Sequence, residues 1–177
     1  NVKGEPVPWE ACITLNDHWG YHSGDTNYKD EKVVVRKLIE CVSKGGNMLL
    51  NVGPDAKGRI PARSREILEG VGRWMADNGE CVYGCGISEF PKPEWGRYTQ
   101  NGKDIYALVM DQPVGPLALL GIPGERIESC RFVSDGSEMK LYNDWRTSNY
   151  GGIAYVNVPR YELYDDIYTC IKITLKD

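Results

Sequence analysis

The residues with most to offer chemically stand near the start of the chain. Trp9 is followed directly by a carboxylate, Glu10, and nine residues further on Trp19 opens a Trp19-Gly20-Tyr21 turn. A carboxyl group lying against an indole is desolvated, which disfavours its charged form and raises its pKa towards neutrality. A general acid acting on a sugar leaving group needs that property, because it must hold a proton at working pH and release it to an oxygen. Trp9, Trp19 and Tyr21 add aromatic faces of the kind that stack on the apolar faces of sugars. The same residues also read as a buried indole beside a surface glutamate, and the pair by itself does not separate the two readings.

Other chemistries find less support. The six cysteines (12, 41, 81, 85, 130 and 170) are scattered, only Cys81 and Cys85 are close, and the two histidines are His18 and His22. No second cysteine pair accompanies that C-x3-C, so no zinc site is expected and no other metal or cofactor is implied. The cysteines read as buried small apolar groups rather than a disulfide framework. Gly45 and Gly46 precede an apolar run without a following Lys-Ser/Thr, which argues against a phosphate loop. A net charge of −4 with no basic block argues against nucleic acid and anionic membrane as partners. No apolar run reaches the length of a membrane span, and no signal peptide heads the sequence, which opens on what reads as the tail of a loop, Asn1 to Pro8.

The elements that must position these residues follow from periodicity. In 177 residues, 41% hydrophobic with five Trp and eleven Tyr, there is material for one full domain or two small ones. A strand is expected over Trp9–Thr14, then a polar loop over Asn16–Asp30. A helix over Glu31–Ser43 carries Val34, Val35, Leu38, Cys41 and Val42 on one face, with Gly45 as its left-handed cap. Met48–Val52 is almost wholly apolar and reads as a parallel strand covered on both faces. A second helix over Pro61–Asn78 has a stripe of Ile67, Leu68, Val71, Trp74 and Met75, with Gly79 as its cap. This βαβα order needs a parallel sheet with more strands than two, so residues 1–87 are expected to be part of a larger α/β sheet or barrel.

Beyond the stiff linker Phe90-Pro91-Lys92-Pro93 the pattern becomes one of short strands: 96–100, 104–111, 116–120, 127–134, 139–143, 153–158 and 167–175. In the last, Ile167, Thr169, Ile171, Ile173 and Leu175 alternate with Tyr168, Cys170 and Lys172. Seven such strands imply an antiparallel β-sandwich over residues 88–177. Trp95, Tyr106, Tyr142 and Trp145 would serve there as core, as domain interface, or as a sugar platform.

Taken in order, W-E-x-C-x-T-x4-W-G-Y from Trp9 to Tyr21, V-S-K-G-G-N-M-L-L-N-V-G-P from Val42 to Pro54, G-R-I-P from Gly58 to Pro61, and G-x-W-x3-N-G-E-x-x-Y from Gly72 to Tyr83 resemble the α-L-fucosidases of glycoside hydrolase family 29. The resemblance is close over residues 9–83 and architectural beyond. It implies a catalytic (β/α)8-like barrel, of which residues 1–87 would be the C-terminal portion, followed by a β-sandwich, and retaining hydrolysis of terminal α-L-fucose from fucosylated glycans by two carboxylates. It also implies Glu10 as general acid/base and Trp19 against the fucose C5 methyl, with Trp9 and Tyr21 as further substrate contacts. Family members are commonly secreted, periplasmic or lysosomal.

The family's nucleophile is an Asp on an earlier barrel strand, and no Asp here stands in that context. Asp17 and Asp25 are loop residues, and Asp55 opens an ordinary Asp-Ala-Lys-Gly turn. The chain is therefore expected to work with an N-terminal barrel half, in the same polypeptide or a separate one. The competing class is a non-catalytic carbohydrate-binding or structural module derived from such an enzyme. One feature sits awkwardly with a barrel: active residues belong at the C-terminal ends of its strands, whereas Glu10 comes early in its own.

Overall fold

The computed structural model describes residues 7–111, 114–142, 144, 152–158 and 167–177. They form two compact units, residues 1–76 and 77–177.

In the first unit, strand β1 (Glu10–Thr14) leads through a long loop to helix α1 (Glu31–Val42), strand β2 (Asn47–Asn51) and helix α2 (Ala62–Asn78), whose last two residues belong to the second unit. β1 and β2 pair in parallel, with Glu10 opposite Asn47 and Thr14 opposite Asn51. Because side chains alternate across a strand, Met48 and Leu50 point to one face. There they pack with Val52 and Val71 around buried Leu15, Val34 and Ile67. Glu10, Cys12 and Thr14 share the opposite face with Asn47, Leu49 and Asn51. Among the described residues that face is left open at Glu10, Cys12 and Leu49, the last 46% exposed, so the expected burial of β2 holds on one side.

Asp30 caps α1, its Oδ1 accepting from the Val33 amide at 2.8 Å and satisfying one of the unpaired first-turn donors. The helix buries Val34, Val35, Ile39, Cys41 and Val42, with Ile39 taking the place expected of Leu38. Gly45 ends it at φ 70° as expected. Gly79 does not do the same for α2. It opens a 3-10 turn, Gly79–Cys81, that follows directly on the helix.

In the second unit, β3 (Gly96–Asn101), β4 (Asp104–Val109), β8 (Thr169–Leu175) and β6 (Ile127–Phe132) form an antiparallel sheet in the order β3-β4-β8-β6, and β5 (Leu117–Leu119) pairs with β7 (Ala154–Val156). Both sheets contribute to one core, including Ile105, Ala107, Leu117, Leu119, Phe132, Val156, Ile171 and Ile173. Among the described residues, six strands stand where seven were expected. The 139–143 stretch contributes one bridge, Leu141 to Val156, and Tyr142 donates its amide to the Tyr155 carbonyl at 2.6 Å.

The alternation of β8 also has a second buried side. Tyr168 and Cys170 are buried along with the core-facing isoleucines, and segment 79–86 runs against the sheet. Thr99 Oγ1 donates to the Cys81 carbonyl at 2.7 Å, and Gly86 bridges Gln100. Glu80 accepts from Tyr106, Arg131 and Lys172 at 3.2–3.5 Å. Lys172 also pairs with Asp104 at 2.8 Å. Burial pushes the Asp104 carboxyl up, but hydrogen bonds from Lys172 and Thr174 outweigh it and hold the group below its ordinary range.

The Phe90–Pro93 stretch is anchored rather than a free linker. Phe90 packs on the core under the Arg126 guanidinium, 5.3 Å from the ring centre, and Arg126 pairs with Glu89 at 3.1 Å. Trp95 and Tyr106 are packing residues. The Trp95 indole donates to the Ala118 carbonyl at 2.9 Å and meets Tyr98 edge-on, while Tyr106 is buried beneath Lys172. Trp145 lies outside the described residues. All six cysteines are free thiols; Cys41, Cys81, Cys130 and Cys170 are buried and Cys12 is exposed. Burial raises Cys85 to about 11 and Cys130 to about 12.

Candidate functional site

The C-terminal ends of β1 and β2 carry the loop that runs from Leu15 to Asp30. The Leu15 amide donates to the Asn51 carbonyl at 3.0 Å, extending the parallel ladder by one residue before the chain turns away. Two side chains at the strand ends then take hold of the turn. The Thr14 hydroxyl donates to the His18 carbonyl at 3.0 Å. The Asn51 amide donates to the Trp19 carbonyl at 2.8 Å and to Thr14 Oγ1 at 3.2 Å. Just past β2, Gly53 lies directly beneath Gly20 and Tyr21. A Cβ built on Gly53 would stand 2.6 Å from the Gly20 carbonyl carbon and 2.7 Å from the Tyr21 amide nitrogen, so only glycine lets the two backbones meet there. Held this way, Trp19 and Tyr21 stay 56% and 52% exposed, an aromatic pair at the end of the strands.

The loop is closed by Asp25. One carboxylate oxygen accepts from the Asp17 amide at 3.1 Å and from His18 Nδ1 at 2.7 Å, and the other accepts from the Asn27 amide at 3.1 Å. Its side chain is 2% exposed. The hydrogen bond from His18 is the main reason its carboxyl lies below the ordinary 3.8. Asn27 Nδ2 donates to both Asp17 oxygens at 3.0 Å, and the His18 and His22 rings stack at 4.4 Å. Asp55 is likewise committed, accepting from the Lys57 and Arg59 amides and from the Arg59 side chain. Asp17, Asp25 and Asp55 thus serve the architecture of loops.

Glu10 and Trp9 lie at the other end. Glu10 is the first residue of β1, four residues before Thr14, which at about 3.3 Å per residue is roughly 13 Å from the strand end. Its side chain is exposed, and its closest recorded partner is the Cys12 thiol, which donates to Oε1 at 3.8 Å. That partner is two residues along and so on the same face. Trp9, one residue before, turns the other way: its indole lies over Gly46, where a Cβ would come within 2.2 Å of the ring, and its Nε1 donates to the Lys44 carbonyl at 3.2 Å. The indole expected to desolvate Glu10 therefore packs elsewhere. Adjacency in an extended chain separates two side chains instead of joining them.

Of the four residues singled out from the sequence, Trp19 and Tyr21 stand exposed in one turn at the strand ends, while Glu10 and Trp9 are parted from them and from each other. Thr14, Asn51, Gly53 and Asp25 were not singled out as site residues. The available signal was that three of them sit inside the quoted motif strings.

The sequence profile described as Alpha-L-fucosidase matches residues 2–80. Alpha-L-fucosidase isoenzyme 1 from Paenibacillus thiaminolyticus is 52% identical, with a TM-score of 0.94 over 100% of this chain and 42% of its own. The chain belongs to the α-L-fucosidase family. The plasma alpha-L-fucosidase of Rattus norvegicus is 31% identical over 90% of this chain and 36% of its own length. A Bacteroides thetaiotaomicron alpha-L-fucosidase of glycoside hydrolase family 29, trapped as a covalent intermediate in complex with 2-fluoro-fucosyl fluoride, is 26% identical, with a TM-score of 0.82 over 96% of this chain and 38% of its own. The chain thus spans between a quarter and about two fifths of the fucosidases it matches. Within it, the family's motifs meet in space: the Thr of the first string and the Asn and Gly of the second converge on the W-G-Y turn.

Proposed function

We propose that this chain is part of a retaining α-L-fucosidase, forming the C-terminal portion of its (β/α)8-like barrel and an antiparallel β-sandwich, and that Trp19 and Tyr21 form part of the fucose-binding rim. Membership in the fucosidase family and the covalent intermediate trapped in the Bacteroides relative support the reaction class. The observation that carries the site reading is the exposed aromatic pair fixed at the C-terminal ends of parallel strands, where barrel enzymes build their active sites. Trp19 offers an apolar face for the C5 methyl of fucose.

Glu10 was the acid/base candidate on resemblance. We now propose that it does not fill that role, because it opens its strand at the end away from the rim, with the Trp9 indole packed over Gly46 instead of against it. The acid/base of the double displacement, which a retaining enzyme holds roughly 5 Å from its nucleophile, is then a carboxylate other than Glu10.

The test is kinetic, in the full-length enzyme. Trp19→Ala should raise KM for all fucosides about ten- to a hundredfold, as expected for a lost apolar contact. Glu10→Ala should leave the rate ratio between activated aryl fucosides and natural glycosides unchanged. A true acid/base would instead open a gap of about 10²–10⁴ between the two substrate types and permit azide rescue of the activated one. Such a gap would restore Glu10 as the acid/base; an unchanged KM in Trp19→Ala would remove the rim assignment.

A further inference from the structure

The ends of β1 and β2 do more than carry the loop; they hold two consecutive peptide groups of the turn by their carbonyls. Thr14 and Asn51 are register partners across the parallel pair. One hydroxyl holds the His18 carbonyl at 3.0 Å and one amide holds the Trp19 carbonyl at 2.8 Å. The second Asn51 N–H returns to Thr14 Oγ1 at 3.2 Å, so the two prongs brace each other. Both residues are half-buried, and beneath them Gly53 brings the Gly20–Tyr21 backbone within 2.6–2.8 Å of where a Cβ would sit. The turn therefore can neither settle lower nor rotate about the Trp19 peptide without breaking a bond to a fixed strand end.

We infer that Thr14 and Asn51 are positioning residues for substrate selection: a two-pronged clamp that sets the height and orientation of the Trp19 indole, and through it the discrimination between fucose and a sugar lacking the C5 methyl. This rests on the proposed role of Trp19 at the fucose rim. A carboxamide suits the Asn51 position because one group must donate twice, in two directions, from a single rigid plane. An aspartate has the same shape and no donor, and would set an oxygen against both Thr14 Oγ1 and the Trp19 carbonyl.

The test uses the full-length enzyme with Asn51→Asp, Thr14→Val and Thr14→Ser, two aryl glycosides (the α-L-fucoside and its analogue without the C5 methyl), and amide exchange over residues 18–21. Asn51→Asp should raise KM for the fucoside about tenfold while changing KM for the demethylated analogue less than twofold and leaving kcat of both near wild type. Exchange at residues 18–21 should quicken by a similar factor. Thr14→Val should act in the same sense, and Thr14→Ser, which keeps the hydroxyl, should restore wild-type selectivity and protection. Unchanged exchange in Asn51→Asp and Thr14→Val would overturn the clamp. Quickened exchange with unchanged KM would overturn the selectivity role and, separately, the reading of Trp19 as a sugar contact. Equal losses on both glycosides, not relieved by Thr14→Ser, would reduce the pair to general structural support and overturn the inference too.

Discussion

Gly46 and Gly53 bracket β2, and replacing each by alanine is the most direct way to learn which end of the strand pair faces the substrate. At Gly53 the new methyl would stand 2.6 Å from the Gly20 carbonyl carbon, 2.7 Å from the Tyr21 nitrogen and 2.8 Å from the Gly20 oxygen, all backbone atoms. Reaching the 3.4 Å of ordinary contact requires a shift of 3.4 − 2.6 = 0.8 Å. No flexible side chain can absorb it, so the W-G-Y turn itself must move. A misplacement of about 1 Å at a site can cost up to about 10²-fold. For a binding contact we expect KM for an aryl fucoside to rise at least tenfold, about 1.4 kcal/mol, with overpacking costing about 1–3 kcal/mol of stability besides.

At Gly46 the methyl would meet the Trp9 ring at 2.2, 2.4 and 2.5 Å, a worse clash on paper. Trp9 is half-exposed and can swing aside, giving up its hydrogen bond to Lys44. Gly46→Ala should therefore cost a comparable amount of stability while leaving KM unchanged. The assay is steady-state kinetics on both full-length variants, with urea unfolding as the stability measure. A wild-type KM in Gly53→Ala, or a KM rise of equal size in Gly46→Ala, would refute the assignment of the rim to the C-terminal ends of β1 and β2.

Other outcomes follow from the same geometry. The Asp25 carboxyl is depressed below 3.8 in the folded chain, so the stability it contributes is present above that pH and fades as pH falls through the folded value. Asp25→Asn should thus lower stability at pH 5, and the gap to wild type should narrow progressively as pH is taken down from 3.8, as read by a series of thermal melts; a gap that stays constant through the acid range would contradict it. Residues 77–177 should fold alone, whereas a fragment starting at residue 88 should lose about 2–4 kcal/mol, because it leaves Thr99 without the Cys81 carbonyl and strips Glu80 from Arg131 and Lys172. Equal urea midpoints for the two fragments would remove that role for segment 79–86. The isolated 177-residue chain should not turn over an aryl α-L-fucoside, since the double displacement needs two carboxylates roughly 5 Å apart. Among the described residues, Asp17, Asp25 and Asp55 are tied into loops and Glu10 opens its strand alone. Turnover above buffer rate would refute this.

Much of the fold could be read from the sequence because periodicity survives any tertiary context. α1 and α2 lie within a residue of their expected bounds, β1 starts one residue later than expected, and β2 runs one residue earlier at both ends than its apolar run. What escaped were features decided by geometry between neighbours. Trp9-Glu10 looked like one microenvironment on the page, and a pleated strand made it two. Gly79 looked like Gly45, but a helix end is decided by where the following residues find partners, and here they continue into a 3-10 turn. Phe90 to Pro93 has the composition of a linker; Phe90 against the core makes it part of the fold. In the site, the aromatic pair was visible by residue type. Thr14, Asn51 and Gly53 were not, because their role lies in register across thirty-odd residues of intervening chain.

β2 is, in effect, a ruler. Gly46 at its entry seats the Trp9 ring and Gly53 past its exit seats the Gly20–Tyr21 backbone, a separation of 53 − 46 = 7 residues. Insert one residue between them and every later side chain changes face, turning Asn51 towards the helices and an apolar neighbour towards the turn. Insert two and the faces return, but the far seat is displaced by about 6.6 Å, much farther than the W-G-Y turn can follow. Length changes that keep this arrangement intact must therefore fall outside Gly46–Gly53, in segments such as 54–60, and a sequence altered in length between the two glycines should be read as having abandoned this rim even if every motif residue is still present.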